Sequence, residues 1–379
     1  MGARYGSRRG NARLMRIGII GLPASGKTTL FNALTRGRAA TGFAAGRGAN
    51  LGVAHVPDNR LDALTELYKP QRTVPAEVTY VDLPGPSEYD GPKGGMFAGE
   101  ALTQLQTVDA VLVVVRGFED ASVPHVKGGT DWRRDVSDIA FDLLFADIAL
   151  LDRRIERLTK DIKGASQADR VRINNDIESL RHLQSELEEG TPLRAREFTE
   201  QERGAVRDTF LLSALPFLVA VNIGEGDIPT SDQMSSEASE AVGTQKSGAV
   251  AVCASLEAEL AGMDADEEAD FRESMEAGES GLSRIINLSY QVLGLISFLT
   301  VGEDEVRAWT VERDTPAAVA AGRIHSDIER GFIRGEVVAY DDLLKCGSQS
   351  EARTQGLLRS EGREYLMQDG DTVNFLFSV

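Results

Sequence analysis

Cysteine, long apolar runs and positive charge are all scarce in this sequence. Only Cys253 and Cys346 occur, so neither a disulfide framework nor a zinc site is supported, and a reducing cytoplasm is expected. The longest apolar runs, 110–115 and 210–221, are too short to span a bilayer, and no secretory segment is expected. Lys and Arg number 41 against 59 Asp and Glu. The net charge of −18 argues against a protein that coats nucleic acid with its whole surface, although it permits a local basic patch.

The first stretch of the chain differs from the rest. Residues 1–14 are rich in Gly and Arg, lack periodicity and precede a second methionine, Met15. We expect a flexible extension, or an artefact of start-site choice, with a basic arm that binds nucleic acid as the alternative. The rest of the chain is long enough for two or three domains.

Residues 15–34 carry the motif around which the chain is organised. The stretch reads MRIGIIGLPASGKTTLFNAL, in which G-x-x-x-x-G-K-[ST] stands between a short apolar run and a helix-prone segment. In such a P-loop the backbone N–H groups cradle phosphates, Lys27 supplies a charge for the β- and γ-phosphates, and the Thr28 hydroxyl ligates Mg²⁺. The alternative is a Gly-rich turn that matches the motif by chance. Lys27 is also a predicted catalytic residue, and the predicted nucleotide-contacting residues of the loop are Gly21, Pro23, Ala24, Ser25, Gly26, Lys27, Thr28 and Thr29.

A second phosphate-site signal is D-x-x-G at the end of a predicted strand. Residues 78–85 read VTYVDLPG and lie downstream of the P-loop. Asp82 is predicted to hold Mg²⁺, usually through water, and the Gly85 N–H to meet the γ-phosphate. Alone, D-x-x-G is a common turn; its place after a strand, beyond a P-loop, makes it informative.

The remaining pattern predicts an α/β fold with a doubly wound parallel sheet. Apolar runs at 109–115, 217–222 and 249–252 are typical of buried parallel strands. Between the first two, apolar residues at helical spacing predict an antiparallel helical hairpin, a coiled coil that turns at 164–169. Residues 281–299 are predicted to form an amphipathic helix that closes the sheet, and a small module of short strands follows. The expected domains are an extension at 1–14, a nucleotide-binding domain at 15–135 and 206–298, the inserted hairpin at 136–205 and the carboxyl-terminal module at 299–379.

Charge is unevenly distributed along the chain. Acidic residues dominate 225–279, whereas basic residues outnumber acidic ones over 153–172, near the tip of the predicted hairpin. A solvated helix face with i,i+4 ion pairs is one interpretation, and an arm whose tip contacts RNA phosphates is the other. The basic cluster consists of Arg153, Arg154, Arg157, Lys160, Lys163, Arg170 and Arg172.

Several longer motifs together resemble the YchF, or Obg-like ATPase, family, and they cover nearly the whole chain from Met15. The carboxyl third resembles that family's TGS-type, β-grasp ending. The resemblance implies a cytoplasmic protein of the translation-factor-related GTPase class that prefers ATP. The motifs are the P-loop, VPDNRLD (56–62), KPQRTVP (69–75), VDLPG (81–85), VVRGFED (114–120), NIGE (222–225), EVRAWTV (305–311), AAGRIHSDIERGFIRGEV (320–337), EGREYLMQDGD (361–371) and NFLFSV (374–379).

The base-reading motif carries the physical reason for that preference. Ordinary GTPases read guanine with N-K-x-D, whose Asp accepts hydrogen bonds from guanine. Here Asn222, Ile223 and Glu225 occupy that motif, so the Lys is absent and a longer acid replaces the Asp. Adenine lacks the donors that the Asp would meet, and such a site loses less by accepting it. Cys253-Ala254-Ser255 stands where the family has Ser-Ala near the base.

The resemblance also implies a catalytic histidine, and it marks three departures. A loop histidine after the FED stretch aligns with His125, although a lone loop histidine is more often structural. Ala24 replaces the Asn expected to help place K⁺, so K⁺ dependence is in doubt. Gly46 aligns with the switch Thr that would ligate Mg²⁺, and residues 98–101 replace a flexible family stretch.

The resemblance, taken with the residues, implies two alternative functions of different classes. The first is a slow ATPase that works with the translation machinery, with Mg²⁺ held through Thr28 and Asp82. The second is a nucleotide-sensing ribosome or RNA adaptor with little or no hydrolysis, and a true GTPase is a third possibility. Ribosome or ribosomal RNA contact is expected through the hairpin tip and the TGS-like module, in a monomer without membrane association or DNA sequence recognition.

Overall fold

The computed structural model describes residues 15–37, 50–84, 100–123, 125, 128–243, 246–275 and 277–378. The predicted extension at 1–14 and the predictions for Gly46, Gly85 and residues 98–99 lie outside the described residues. No described helix combines the length and apolar character needed to cross a membrane.

Strands and helices alternate through the first part of the described chain. The strands are β1 (Arg16–Gly21), β2 (Asn50–His55), β3 (Arg72–Val74), β4 (Glu77–Asp82), β5 (Ala110–Arg116), β6 (Phe217–Asn222), β7 (Ser247–Val252), β8 (Leu295–Thr300), β9 (Glu305–Glu312), β10 (Phe332–Ala339), β11 (Arg359–Glu361) and β12 (Asp371–Phe377). The helices are α1 (Lys27–Thr35), α2 (Asn59–Tyr68), α3 (Glu100–Leu105), α4 (Trp132–Asp161), α5 (Gln167–Glu188), α6 (Glu200–Ala205), α7 (Ser231–Val242), α8 (Ala254–Leu260), α9 (Ala265–Ser274), α10 (Gly281–Leu293), α11 (Ala317–Ile324), α12 (Ser326–Arg330), α13 (Tyr340–Cys346) and α14 (Gln349–Thr354).

The described residues form two compact units. The first contains residues 15–52 and 80–282, and the second contains residues 53–79 and 283–378. The helical hairpin therefore belongs to the first unit, and residues 283–298 belong to the second. The predicted division into four parts, with boundaries at 135, 205 and 298, stays a prediction.

One sheet has the order β2-β4-β1-β5-β6-β7, and its strands β1, β5, β6 and β7 lie wholly in the first unit. Strand β1 pairs with β5, β5 with β6 and β6 with β7, all in parallel. Every residue of β5 is buried, as expected for a central strand covered on both faces. The crossovers between these strands are helical, so the predicted doubly wound α/β fold is confirmed. Phosphate-site residues of such folds lie at the carboxyl ends of the strands.

Helices α4 and α5 form the predicted hairpin between β5 and β6. Each helix begins with a side-chain cap, because Asp131 accepts from the Arg134 N–H and Ser166 from the Asp169 N–H. The two helices pack through a buried leucine cluster near their base that includes Leu151, Leu180 and Leu183. The apolar seam read from the sequence therefore marks a real helix–helix contact.

The predicted helix over 281–299 is wrong in its last part. Helix α10 ends at Leu293, and Gly294 adopts φ +64°, a left-handed conformation that terminates the helix. Residues 295–300 form β8, which joins the sheet of the second unit, whose order is β11-β10-β12-β8-β9-β3. The apolar run Leu295–Thr300 is short and rich in β-formers, so length should have favoured a strand. This mixed sheet is compatible with the TGS-like assignment, which stays a prediction.

A buried carboxylate secures the base of the hairpin to the loop before β6. Asp147 of α4 is 1% exposed and accepts hydrogen bonds from the backbone N–H groups of Leu212, at 2.8 Å, and Ser213, at 2.7 Å. The Arg194 guanidinium lies 4.4 Å from the Phe217 ring centroid and donates to the Ser213 carbonyl at 3.4 Å. Burial raises the pKa of Asp147 to about 6, and burial lowers the pKa of Arg194 to about 10.

This raised pKa predicts a pH dependence of stability. Because the folded pKa of Asp147 lies above its unfolded value, its contribution is fully present below about pH 4 and is lost as pH rises through 6. In Asp147→Asn, which resembles the protonated form, that loss should be absent. The free energy of unfolding of the variant minus that of wild type should therefore increase by up to roughly 3 kcal/mol from pH 4 to pH 7. Urea unfolding at each pH measures this difference. Asp152→Asn, an exposed position on the same helix, should give a curve parallel to wild type; a parallel curve for Asp147→Asn would contradict the assignment.

Candidate nucleotide-binding site

The predicted P-loop connects β1 to α1 as the motif requires. Gly21 ends β1, and Gly26 precedes α1 with φ +87°, a conformation that side chains rarely adopt. A Cβ at Gly26 would also collide with the Asn222 side-chain nitrogen. Only glycine therefore fits this position, and the loop's backbone turns into the positive end of α1.

Two residues inside the loop have contrasting surroundings. Pro23 and Ala24 are exposed, and Ala24 adopts φ +62°, where a non-glycine residue is strained. Its methyl group offers no oxygen to a cation, and the doubt about K⁺ dependence stays a prediction. Ser25 is 2% exposed, and its hydroxyl has no hydrogen-bond partner among the described residues. A buried hydroxyl without a partner is costly, so this oxygen is available to a ligand of the loop.

Asp82 is the charged centre of the phosphate side. It ends β4 at 5% exposure, and its Oδ1 lies 3.1 Å from the Lys27 ammonium. Its Oδ2 accepts from the Thr28 hydroxyl at 3.0 Å and lies 3.5 Å from the Asn50 amide nitrogen. The structure thus brings the predicted metal residues Thr28 and Asp82 together with Lys27, while Thr29 lies half-buried in the first turn of α1.

These oxygens fit a magnesium ion. Thr28 Oγ1 and Asp82 Oδ2 are 3.0 Å apart, and this is about the spacing of adjacent corners of a magnesium octahedron with bonds of about 2.1 Å. Hydroxyl and carboxylate oxygens are the donors that Mg²⁺ prefers. The described residues include no cluster of three or more His, Cys, Asp or Glu that could hold a metal alone.

The Asn222 side chain joins the phosphate side to the base side. Its Nδ2 donates to the Ser25 carbonyl at 3.0 Å, and its Oδ1 accepts from the Ala254 N–H at 3.0 Å. Asn222 is 5% exposed, so both hydrogen bonds are shielded from water. One amide therefore connects the P-loop to the turn between β7 and α8.

The other base-side residues are placed at the carboxyl ends of β6 and β7. Ile223 is 2% exposed and its N–H donates to the Val252 carbonyl, so it is a packing residue. Glu225 is exposed and begins a short 3₁₀ turn. Cys253 and Ala254 are buried, whereas Ser255 is exposed in the first turn of α8, with its hydroxyl 3.3 Å from the Cys253 sulfur. Glu225 and Ser255 are thus the predicted base-side residues whose side chains are accessible.

His125 has a partner that the sequence did not indicate. Its side chain is 5% exposed, and its Nε2 lies 2.9 Å from Asp135 Oδ2. Asp135, in the first turn of α4 at 1% exposure, also accepts from Arg134 at 3.0 Å. A catalytic role would have to use the Nδ1 nitrogen or require this loop to rearrange. That role stays a prediction, and the geometry adds Asp135 as the charged partner of the ring.

Asn50 is the other site residue that was missed. It begins β2, and its amide nitrogen lies 3.5 Å from Asp82 Oδ2. The signal for it was weak, because a single Asn after a long loop has no motif of its own. Strand order supplies the proximity, since β2 and β4 are neighbours in the sheet.

The fold and this site define a P-loop nucleotide-binding protein of the GTPase class. Residues 16–140 match the sequence model of a family described as 50S ribosome-binding GTPase. Residues 295–378 match a carboxyl-terminal YchF family, described as a protein of unknown function, DUF933.

Similar proteins that match nearly the whole chain identify the family more specifically than the two family models do. The chain is 38% identical to the ribosome-binding ATPase YchF of Bacillus subtilis (strain 168) over 367 residues, which are 96% of this chain and 99% of the relative. It is 35% identical to the ribosome-binding ATPase YchF of Escherichia coli O157:H7, again over 96% of this chain and 99% of the relative. The structure matches the Schizosaccharomyces pombe YchF GTPase with a TM-score of 0.84 and 31% identity, over 98% of this chain and 100% of that one. The chain belongs to the YchF family.

Proposed function

We propose that this protein binds ATP with Mg²⁺, hydrolyses it slowly and acts on the ribosome in a nucleotide-dependent way. The observation that carries the proposal is the placement of Lys27 and Thr28, both within hydrogen-bond distance of Asp82. The names of the relatives, which are ribosome-binding ATPases, support it. The alternative is a nucleotide-sensing adaptor with little or no turnover.

The base-side residues support ATP over GTP. The Lys of N-K-x-D is replaced by Ile223, which is buried, and the acid is Glu225, which is exposed. A displaced carboxylate cannot accept from guanine as an Asp in the usual position would, so guanine loses more than adenine. One related structure is titled a GTPase, and GTP binding is therefore the competing outcome of the test below.

The residues assign the chemistry on the phosphate side. Lys27 would exchange its contact with Asp82 for the β- and γ-phosphates, where its charge stabilises the transferring group. Thr28 and Asp82 would hold Mg²⁺, which supplies charge neutralisation at the phosphate oxygens. His125, paired with Asp135, is the candidate for positioning water. Slow turnover is expected because Ala24 offers no side-chain oxygen to a second cation.

The ribosome contact is proposed to use the tip of the hairpin. Arg153, Arg157 and Lys160 near the end of α4 are exposed, and so are Lys163, Arg170 and Arg172 around the turn, whereas Arg154 is half-buried. Local ion pairs account for little of this charge; Arg172 lies 3.5 Å from Asp169. A projecting basic end on an acidic protein suits RNA phosphates. A contribution of the carboxyl-terminal module and a monomeric state remain expectations.

The test of ATP binding is calorimetry with ATP and GTP in Mg²⁺, combined with single-turnover hydrolysis. Wild type should bind ATP more tightly than GTP and release phosphate slowly. Lys27→Ala should weaken ATP binding at least about 100-fold, because a charge-assisted contact to phosphate is lost. Lys69→Ala, a lysine beyond the end of α2, is the matched control and should bind like wild type.

Each other outcome decides between the candidates. Tighter GTP than ATP binding would replace the ATPase with a GTPase. If wild type binds ATP but releases no more phosphate than Lys27→Ala, the nucleotide-sensing adaptor would replace the ATPase. No binding of either nucleotide would overturn the proposal.

The test of the tip is cosedimentation with ribosomes as salt is varied. Reversing three exposed charges, Arg153→Glu, Arg157→Glu and Lys160→Glu, should weaken binding at least about tenfold and flatten its salt dependence, because phosphate contacts release counterions. The control with the same change of net charge is Arg203→Glu, Arg207→Glu and Lys246→Glu, which lie away from the tip. Equal losses in both variants would mean that net charge, not the tip, governs binding.

A further inference from the structure

Arg116 is a buried cation that no part of the site described above uses. It is the last residue of β5 and is 2% exposed. Its guanidinium donates to three backbone carbonyls of the loop that follows: Phe118 at 3.0 Å, Val123 at 2.8 Å and Asp120 at 3.2 Å. All three nitrogens of the guanidinium are therefore engaged by one loop.

The partners of the Arg116 guanidinium are backbone carbonyls and an aromatic ring. Among the described residues no carboxylate lies within ion-pair distance of it, and the guanidinium carbon lies 4.6 Å from the Phe118 ring centroid. A buried cation is tolerated only when its donors are met, and here the carbonyls and the ring meet them. The planar fork thus fixes both the path of residues 118–123 and the position of the Phe118 ring.

The same loop lies against the base-reading motif. The Gly117 N–H donates to the Asn222 carbonyl at 2.7 Å. A Cβ built on Gly224 would lie 3.7 Å from the Phe118 Cβ, so Phe118 lies near the backbone just before Glu225. The loop that Arg116 holds therefore lies beside the segment from Asn222 to Glu225, and it can influence the conformation of that segment.

The loop also continues toward His125. The Thr130 hydroxyl donates to the Phe118 carbonyl at 3.4 Å, and the Asp120 side chain accepts from the Ser122 N–H at 2.9 Å. These contacts keep the loop compact on the side away from Asn222. They do not reach the phosphate residues Lys27, Thr28 and Asp82, which have their own contacts.

We propose that Arg116 is a positioning residue for base recognition, holding the loop 118–123 so that Phe118 supports the Asn222–Glu225 segment that discriminates between purine bases. The inference rests on the proposed function and deepens it, because it names what sets the discrimination. The hydrogen bonds of Arg116 go to the loop and not to Lys27, Thr28 or Asp82, so the effect on base selectivity should exceed the effect on triphosphate affinity.

The experiment compares Arg116→Lys with wild type in the full-length protein. Lysine keeps the charge, but its single ammonium cannot reproduce the planar three-carbonyl fork. Amide hydrogen exchange of residues 117–123 should accelerate at least about tenfold, because the loop loses its fixed partner. By calorimetry the ATP-to-GTP affinity ratio should fall at least about fivefold, while the affinity for inorganic tripolyphosphate with Mg²⁺ should stay within about twofold of wild type.

The matched control is Arg194→Lys. Arg194 is also buried and also stacks on a phenylalanine, Phe217, but it donates to the Ser213 carbonyl at the base of the hairpin. Its variant should leave the ATP-to-GTP ratio and the exchange of 117–123 at wild-type values. Phe118→Ala keeps Arg116 but removes the ring on which its guanidinium stacks. It is the second test variant and should lower the ratio in the same direction, because Arg116 then holds the loop less firmly.

The outcomes are distinguishable from failure of the proposed function. An unchanged ATP-to-GTP ratio in folded Arg116→Lys and Phe118→Ala would overturn the inference. Equal losses for ATP, GTP and tripolyphosphate would also overturn it, since they would show a general structural role. If wild type bound tripolyphosphate but neither nucleotide, the proposed ATP function would fail and the inference with it, whatever the exchange of the loop.

Discussion

The amide of Asn222 is the contact on which the site depends. Its two hydrogen bonds join Asn222 to the Ser25 carbonyl, 197 residues away in the chain, and to the Ala254 N–H, 32 residues away. Each bond is worth about 1 kcal/mol of stability, but their position matters more than their sum. Because Asn222 ends a fully buried strand, the amide is held by the sheet, and the P-loop and the base-side turn are held by the amide.

The charged groups near this contact differ in whether a ligand can change their partners. Lys27 and Asp82 form an ion pair that a nucleotide with Mg²⁺ could open, since both side chains sit where phosphate and metal would compete for them. Arg116 has no such competitor, because backbone carbonyls surround it. The Lys27–Asp82 pair is therefore suited to ligand binding, and Arg116 is suited to fixing the conformation of its loop. Asp147 and Arg194 serve a third purpose at the base of the hairpin, where burial perturbs both of their pKa values.

The local parts of the fold and site could be predicted from the sequence. A P-loop is a continuous motif, and the buried strands β5 and β6 are apolar runs whose length marks them as strands. The non-local parts could not be predicted in the same way. Asp135 and Asn50 become site residues only through strand order and helix entry, which no short motif encodes. The end of α10 was misplaced because an apolar run continues past Gly294, and apolarity alone does not separate a helix from a strand.

The central claim is that the Asn222 amide joins the phosphate and base segments into a single site. The direct measurement is the ATP affinity of Asn222→Ala by calorimetry. Thermal unfolding checks that the variant is folded. The account predicts a folded variant whose ATP affinity falls at least about tenfold, since the P-loop and the β7–α8 turn lose their common partner. A folded Asn222→Ala protein that binds ATP as tightly as wild type would contradict it.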